Sequence, residues 1–87
     1  MKISKILIED KIKEKILQKH NIRASEIKEA LLNNPYIIKT REKRYMAFGY
    51  CQRFITIIFE LIKDTAFIIT AYLSSDNQRK LYKSKRI

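Results

Sequence analysis

Asn33-Asn34-Pro35 separates two stretches with different hydrophobic periods, and that change limits the fold more than any other feature of the chain. The residue before a proline is pushed out of the α region, so a helix running into this step must end there. Upstream, apolar residues recur at helical spacing. Ile8, Ile12, Ile16 and Leu17 follow one another on a single face, with lysines and glutamates between them. Asp10 sits at the N-cap position, and the spacing predicts a first helix ending near His20-Asn21. Ser25 is the N-cap candidate of a second helix. Glu26 suits its positive end, and Ile27, Ala30 and Leu31 form its apolar stripe. Ile3–Ile8 is a short β-branched run, readable as an edge strand or as the lead-in to the first helix.

Downstream the period falls to two. Tyr36–Thr40, Arg44–Cys51, Arg53–Ile62 and Ala66–Leu73 read as strands, separated by the polar turns Arg41–Lys43 and Lys63-Asp64-Thr65. Gly49 suggests a bulge. Ser74, Ser75 and Asp76 offer caps for a last helix carrying Arg79 and Tyr82. The expected fold is α+β, in the order ααββββα. Two N-terminal helices precede a four-stranded antiparallel meander and a C-terminal helix, all in one domain spanning residues 1–87.

In such a fold the helices cover one face of the sheet and leave the other available. Ile55, Ile57, Phe59 and Leu61 form a wholly apolar face and should lie beneath the helices. Phe54, Thr56, Ile58, Glu60 and Ile62 form the open one. In the next strand, Phe67, Ile69, Ala71 and Leu73 read as core, and Ile68, Thr70 and Tyr72 as open. In Arg44–Cys51, Met46 and Phe48 share a face with Arg44, and the pattern leaves that strand unassigned.

Charge then narrows the partner. The formal charge is +10, with 19 Lys and Arg against 9 Asp and Glu. It ends in a run without an acid: Arg79, Lys80, Lys83, Lys85 and Arg86. Self-repulsion on this scale costs stability, and a polyanion relieves it; RNA is the leading candidate. The plainer alternative is a lysine-rich proteome. Cys51 is alone, so neither a disulfide within the chain nor a zinc-type cysteine spacing is expected. The start lacks the apolar segment of a signal peptide, which suggests a cytoplasmic protein.

With one Gly, one Cys and one His, most cofactor chemistries lack their residues, and no phosphate loop, HExxH or GxSxG is present. No cofactor and no metal is expected. Metal-free RNA cleavage needs only a base, a proton donor and cations, because the 2′-hydroxyl of the substrate is the nucleophile. Arg44, Arg53 and Arg79 are candidates to hold the scissile phosphate. Either Glu60 or His20 is the base. Tyr72 or Tyr82 would stack on a nucleobase or donate a proton. Lys80, Lys83 and Arg86 extend the RNA-binding set. Each has a plain alternative: a solvated arginine, a histidine at a helix end, Glu60 paired with Lys63, or tyrosines that only pack.

These residues resemble a known pattern. Lys19-His20 closing the first helix, Glu42-Lys43-Arg44-Tyr45 with Gly49 four residues on, Arg53, Ile68-Ile69-Thr70-Ala71 and Arg79-x-x-Tyr82 follow the order and spacing of the BrnT family of toxins. Asn21 stands where that family has glycine after Lys-His, and Tyr72 stands where it often has arginine. The resemblance implies a RelE-like fold. It also implies a toxin of a prokaryotic type II toxin–antitoxin system, acting as a ribosome-independent endoribonuclease that inhibits translation. A cognate antitoxin, a small DNA-binding protein, would then complete a hetero-oligomer. The alternative within the same fold is a non-catalytic RNA- or antitoxin-binding module.

Overall fold

A computed structural model describes residues 2–85. Eight elements follow in order: β1 (Lys5–Leu7), α1 (Asp10–His20), α2 (Ala24–Leu32), β2 (Tyr36–Arg41), β3 (Arg44–Cys51), β4 (Arg53–Ile62), β5 (Thr65–Leu73) and α3 (Asp76–Lys85). The α+β class and the helix–strand–helix succession are those expected. The sheet differs, because it has five strands in the order β1-β5-β4-β3-β2. The run at Ile3–Ile8 supplies the extra strand. It pairs in parallel with β5, Lys5 opposite Thr65 and Leu7 opposite Phe67, so the sheet is mixed rather than a purely antiparallel meander. Nothing local announces this pairing, since its partner lies 60 residues further along the chain.

Helix boundaries move slightly. Glu9 rather than Asp10 is the N-cap of α1, and Arg23 rather than Ser25 is that of α2. The Arg23 amide donates to Glu26 Oε1 at 3.0 Å, so the first turn of α2 is satisfied from within by a carboxylate instead of by a serine hydroxyl. α1 ends at Asn21 in the left-handed conformation, φ 54°, and the Asn21 amide donates to the Leu17 carbonyl at 2.9 Å. Asparagine is the residue other than glycine that enters this region most readily, so the helix turns off without a glycine. α3 opens on a reciprocal cap. The Gln78 amide donates to Ser75 Oγ at 3.2 Å, and the Ser75 amide donates to Gln78 Oε1 at 2.9 Å.

α1 and α2 pack on one face. Ile16, Ile22, Ile27, Ala30 and Leu31 meet Ala47, Ile55, Ile57, Phe59, Ala66, Ile68 and Ala71 in one core. The assignment of β4 is therefore correct, and β5 needs a correction. Ile58 pairs with Thr70 but Phe59 pairs with Ile68, which leaves Ile69 as a bulge. One extra residue reverses the alternation. Ala66 and Ile68 turn to the core before the bulge and Ala71 after it, while Phe67 stays 37% exposed and Leu73 49%. Gly49 is not a bulge, because it pairs in register with Ile55. A Cβ there would lie 2.9 Å from the Ala30 carbonyl oxygen, so glycine lets α2 approach the sheet.

The expectation that all helices share one face is also corrected. α3 crosses the opposite face: Tyr82 packs on Phe54, and Gln78 bonds Thr56. This is why Phe48 and Thr56, which point away from α1 and α2, are nonetheless buried. The rest of that face remains uncovered, from Phe67 and Ile62 to Met46. No described helix is long and apolar enough to cross a membrane.

Candidate active site

The turn that ends α1 brings His20 to the edge of the sheet beyond the short β1. Its ring lies 6.3 Å from that of Tyr72, centroid to centroid, at 51°. A cavity of about 290 Å³ opens here between α1 and β5, lined by Ile12, Lys15, Ile16, Lys19, His20, Ile69 and Thr70. The wall of the cavity depends on the bulge, since Ile69 is the inserted residue. Among the described residues none hydrogen-bonds the imidazole. The pocket thus offers a histidine with open ring nitrogens, two lysines and a threonine hydroxyl, with a phenol close by.

Tyr72 is held from below by a polar network. Thr56, fully buried, lies opposite Tyr72 in the β4–β5 register. Gln78 Nε2 donates to the Tyr72 hydroxyl at 3.1 Å, and Thr56 Oγ1 donates to Gln78 Oε1 at 3.0 Å. Thr56 Oγ1 and Ser74 Oγ are 2.8 Å apart. The Ser75 amide can only donate, so it fixes which end of the Gln78 amide is oxygen. The Tyr72 oxygen is then an acceptor, and its own proton is left to point elsewhere. Thr56 spends its one proton on Gln78, so Ser74 is the donor in their contact. Gln78 was not among the residues singled out from the sequence. The signal was there in Ser75-Asp76-Asn77-Gln78, a capping-box spacing.

The nominated arginines lie in three different settings. Arg53 is engaged in structure. Its Nη2 lies 2.8 Å and 2.9 Å from the two carboxylate oxygens of Glu26, its Nε donates to Glu26 Oε2 at 3.1 Å, and Nη2 also donates to the Asn21 carbonyl at 2.9 Å. Burial alone would raise the Glu26 pKa. The Arg23 amide, then the hydrogen bond and charge of Arg53, outweigh it and hold the carboxyl below its ordinary value.

Arg44 and Glu60 pair across β3 and β4, 3.7 Å apart, on the face away from α1 and α2. Glu60 therefore answers Arg44 rather than Lys63. It stands four residues from Thr56 along β4, about 13 Å at strand rise, so it does not join His20 and Tyr72 in one constellation. Arg79 pairs with Asp76 in the first turn of α3. With Phe54, Lys80 and Lys83 these two residues line a separate cleft of about 210 Å³. Tyr82 is half-buried with its edge to Phe54, 5.9 Å between centroids, and anchors α3. Arg86 lies outside the described residues.

Cys51 is buried at the end of β3, opposite Arg53 in the β3–β4 register. Its thiol donates to Glu29 Oε2 at 2.7 Å. That hydrogen bond, then burial and the neighbouring carboxylates, push its pKa up to about 11. It is a packed, protonated thiol and not a nucleophile.

Three comparisons with known proteins bear on this geometry. The family model described as Domain of unknown function (DUF4258) matches residues 13–73. Comparison with curated proteins returned no match. Among solved structures, the chain is similar to the 1.1 Å crystal structure of the Brucella abortus ribonuclease toxin BrnT, with a TM-score of 0.70 at 21% identity, covering 83% of this chain and 97% of that one. The likeness supports a BrnT-like fold for this chain. The matched family region takes in His20, Gly49, Arg53 and Tyr72 and stops short of α3.

Proposed function

The chain belongs to the family described as Domain of unknown function (DUF4258), and on that footing we propose that it is a toxin of a toxin–antitoxin pair that cleaves RNA without a metal ion. The observation that carries this reading is the pairing of His20 with Tyr72 over a lysine-lined pocket, on the fold of a solved ribonuclease toxin. His20 takes the proton of the 2′-hydroxyl. Tyr72, its oxygen held by Gln78, donates its proton to the leaving 5′-oxygen. Lys15 and Lys19 stabilise the charge that gathers on the phosphorane. Tyr72 thereby supplies a role in this chain at the position where the resembling family often has arginine.

In this reading Arg53 and Glu26 build the frame that sets the end of α1, and Arg79, Lys80 and Lys83 guide the RNA. The partner that silences the protein is a cognate antitoxin carrying negative charge to meet a chain of formal charge +10. A second reading, a non-catalytic RNA- or antitoxin-binding module, is favoured by one observation. Arg44, Arg53, Glu60 and Arg79, all nominated as catalytic, are already committed to ion pairs within the chain.

The test is cleavage of single-stranded RNA by purified protein in chelator, alongside growth on induced expression. His20→Ala and Tyr72→Phe are each expected to slow cleavage on the order of 10²–10⁴-fold, as for loss of a positioned acid or base, and to relieve growth arrest. If the wild-type protein neither arrests growth nor cuts RNA, the binding-module reading replaces this one.

A further inference from the structure

The cleft beside α3 has features that the cleavage pocket does not use. Tyr50 and Phe54 pair directly across the β3–β4 hairpin, on the face away from α1 and α2. Their rings lie 4.9 Å apart at 60°. Neither belongs to the main core, and Tyr50 is 40% exposed. Phe54 is half-buried and lines the cleft, and Tyr50 beside it keeps a ring open to a ligand. The Lys83 ammonium stands 5.2 Å over the Phe54 ring, and Arg79 and Lys80 complete a basic rim. The one acid in the rim, Asp76, is already held by Arg79. The cleft is smaller than the ~300–1,000 Å³ usual for enclosed small-molecule sites, so it suits one segment of a longer chain.

The geometry points to Tyr50 and Phe54 as a base-stacking platform for single-stranded RNA, distinct from the cleavage pocket. The inference rests on the proposed RNA substrate and specifies its form. An unpaired base inserts over Phe54 and against Tyr50. It displaces the Lys83 ammonium, which then meets the adjoining phosphate. A duplex cannot present an unstacked base. Phe54 is two residues from Thr56, the cross-strand partner of Tyr72, about 7 Å along the strand. The platform and Tyr72 thus share one face of the sheet.

The experiment measures binding of three probes by titration: a non-cleavable 2′-O-methyl single-stranded oligonucleotide, the same sequence as a duplex, and polyglutamate. Tyr50→Ala is expected to weaken single-strand binding roughly tenfold, with Tyr50→Phe restoring it and duplex binding unmoved. Tyr50→Leu, which keeps apolar bulk without a ring, serves if Tyr50→Ala fails to fold. The inference is overturned if single-strand affinity is unchanged, if duplex affinity falls equally, or if the wild type binds no single strand. An equal Tyr50 dependence for polyglutamate would overturn it in favour of an acidic protein segment. Because the probe cannot be cut, a protein that stacks it through Tyr50 but cleaves no RNA sinks the proposed catalysis and leaves the platform standing.

Discussion

Arg53 closes on Glu26 as a forked ion pair across 27 residues of sequence, and the same guanidinium caps the carbonyl of Asn21 where α1 ends. One side chain on the sheet thus ties the end of the first helix to the start of the second. His20 is the residue immediately before that tie.

Arg53→Ala should therefore act first on stability. Charge-assisted bonds to a partly buried carboxylate are lost, at a cost of about 1.5–3 kcal/mol, read as a lower urea midpoint. Arg53→Lys should recover only part, because an ammonium cannot span both carboxylate oxygens and the carbonyl. If cleavage per folded molecule falls in Arg53→Lys without any loss of stability, Arg53 touches substrate and the framing role is wrong.

The same pair sets an acid limit. The folded-state pKa of Glu26 lies below the ordinary value of 4.5, so its contribution is present above that pH and is lost as pH falls through the folded-state value. Comparing urea midpoints of wild type and Glu26→Gln from pH 7 down to 3 should show the difference between them shrinking only below about pH 4.5. A difference that is flat with pH would remove the ion pair from the account.

Cys51 should resist thiol reagents in the native protein. With its pKa raised from 9.0 to about 11, it carries almost no thiolate at neutral pH, and it is buried. The linked stability is present below about pH 9 and is lost as pH rises toward 11. Glu29→Gln should lower the thiol pKa and speed its modification by a disulfide reagent. No acceleration would show that burial alone protects it.

Gly49→Ala should destabilise by about 1–3 kcal/mol through overpacking, seen in thermal or urea unfolding. The added methyl meets the backbone oxygen of Ala30 as well as its Cβ. Ala30→Gly in the same chain should therefore restore only part of the loss. Full restoration would place the clash on the Ala30 side chain alone.

Gln78→Leu should release α3 and disturb Tyr72 together. Thr56, fully buried, loses the Gln78 oxygen and keeps Ser74, a cost of about 0.5–1.5 kcal/mol. Hydrogen exchange across Asp76–Lys85 should quicken, and cleavage should fall in kcat more than in KM. Faster exchange with an unchanged kcat would leave Gln78 as an anchor of α3 and nothing more.

Local sequence determined most of the elements. Ile12 and Ile16, the alternation of β4, the Ser75–Gln78 cap and the proline stop at Pro35 are short-range signals, and helix and strand periods are short-range properties. His20 and Tyr72 were legible as candidates because few residue types in this chain can move a proton. What brings them together was not legible. Ala66–Leu73 is apolar on both sides, so its pattern carries no mark of the bulge at Ile69 that turns Ile68 inward and Phe67 out. The side on which α3 lies is decided by Thr56 and Phe54, and the edge position of β1 by β5. Arg53 read as a phosphate ligand because an arginine on a strand looks free until its carboxylate arrives from another helix. Periodicity reports which way a side chain faces along its own element, whereas pairing across elements depends on which surfaces exclude water together, and only the assembled core settles that.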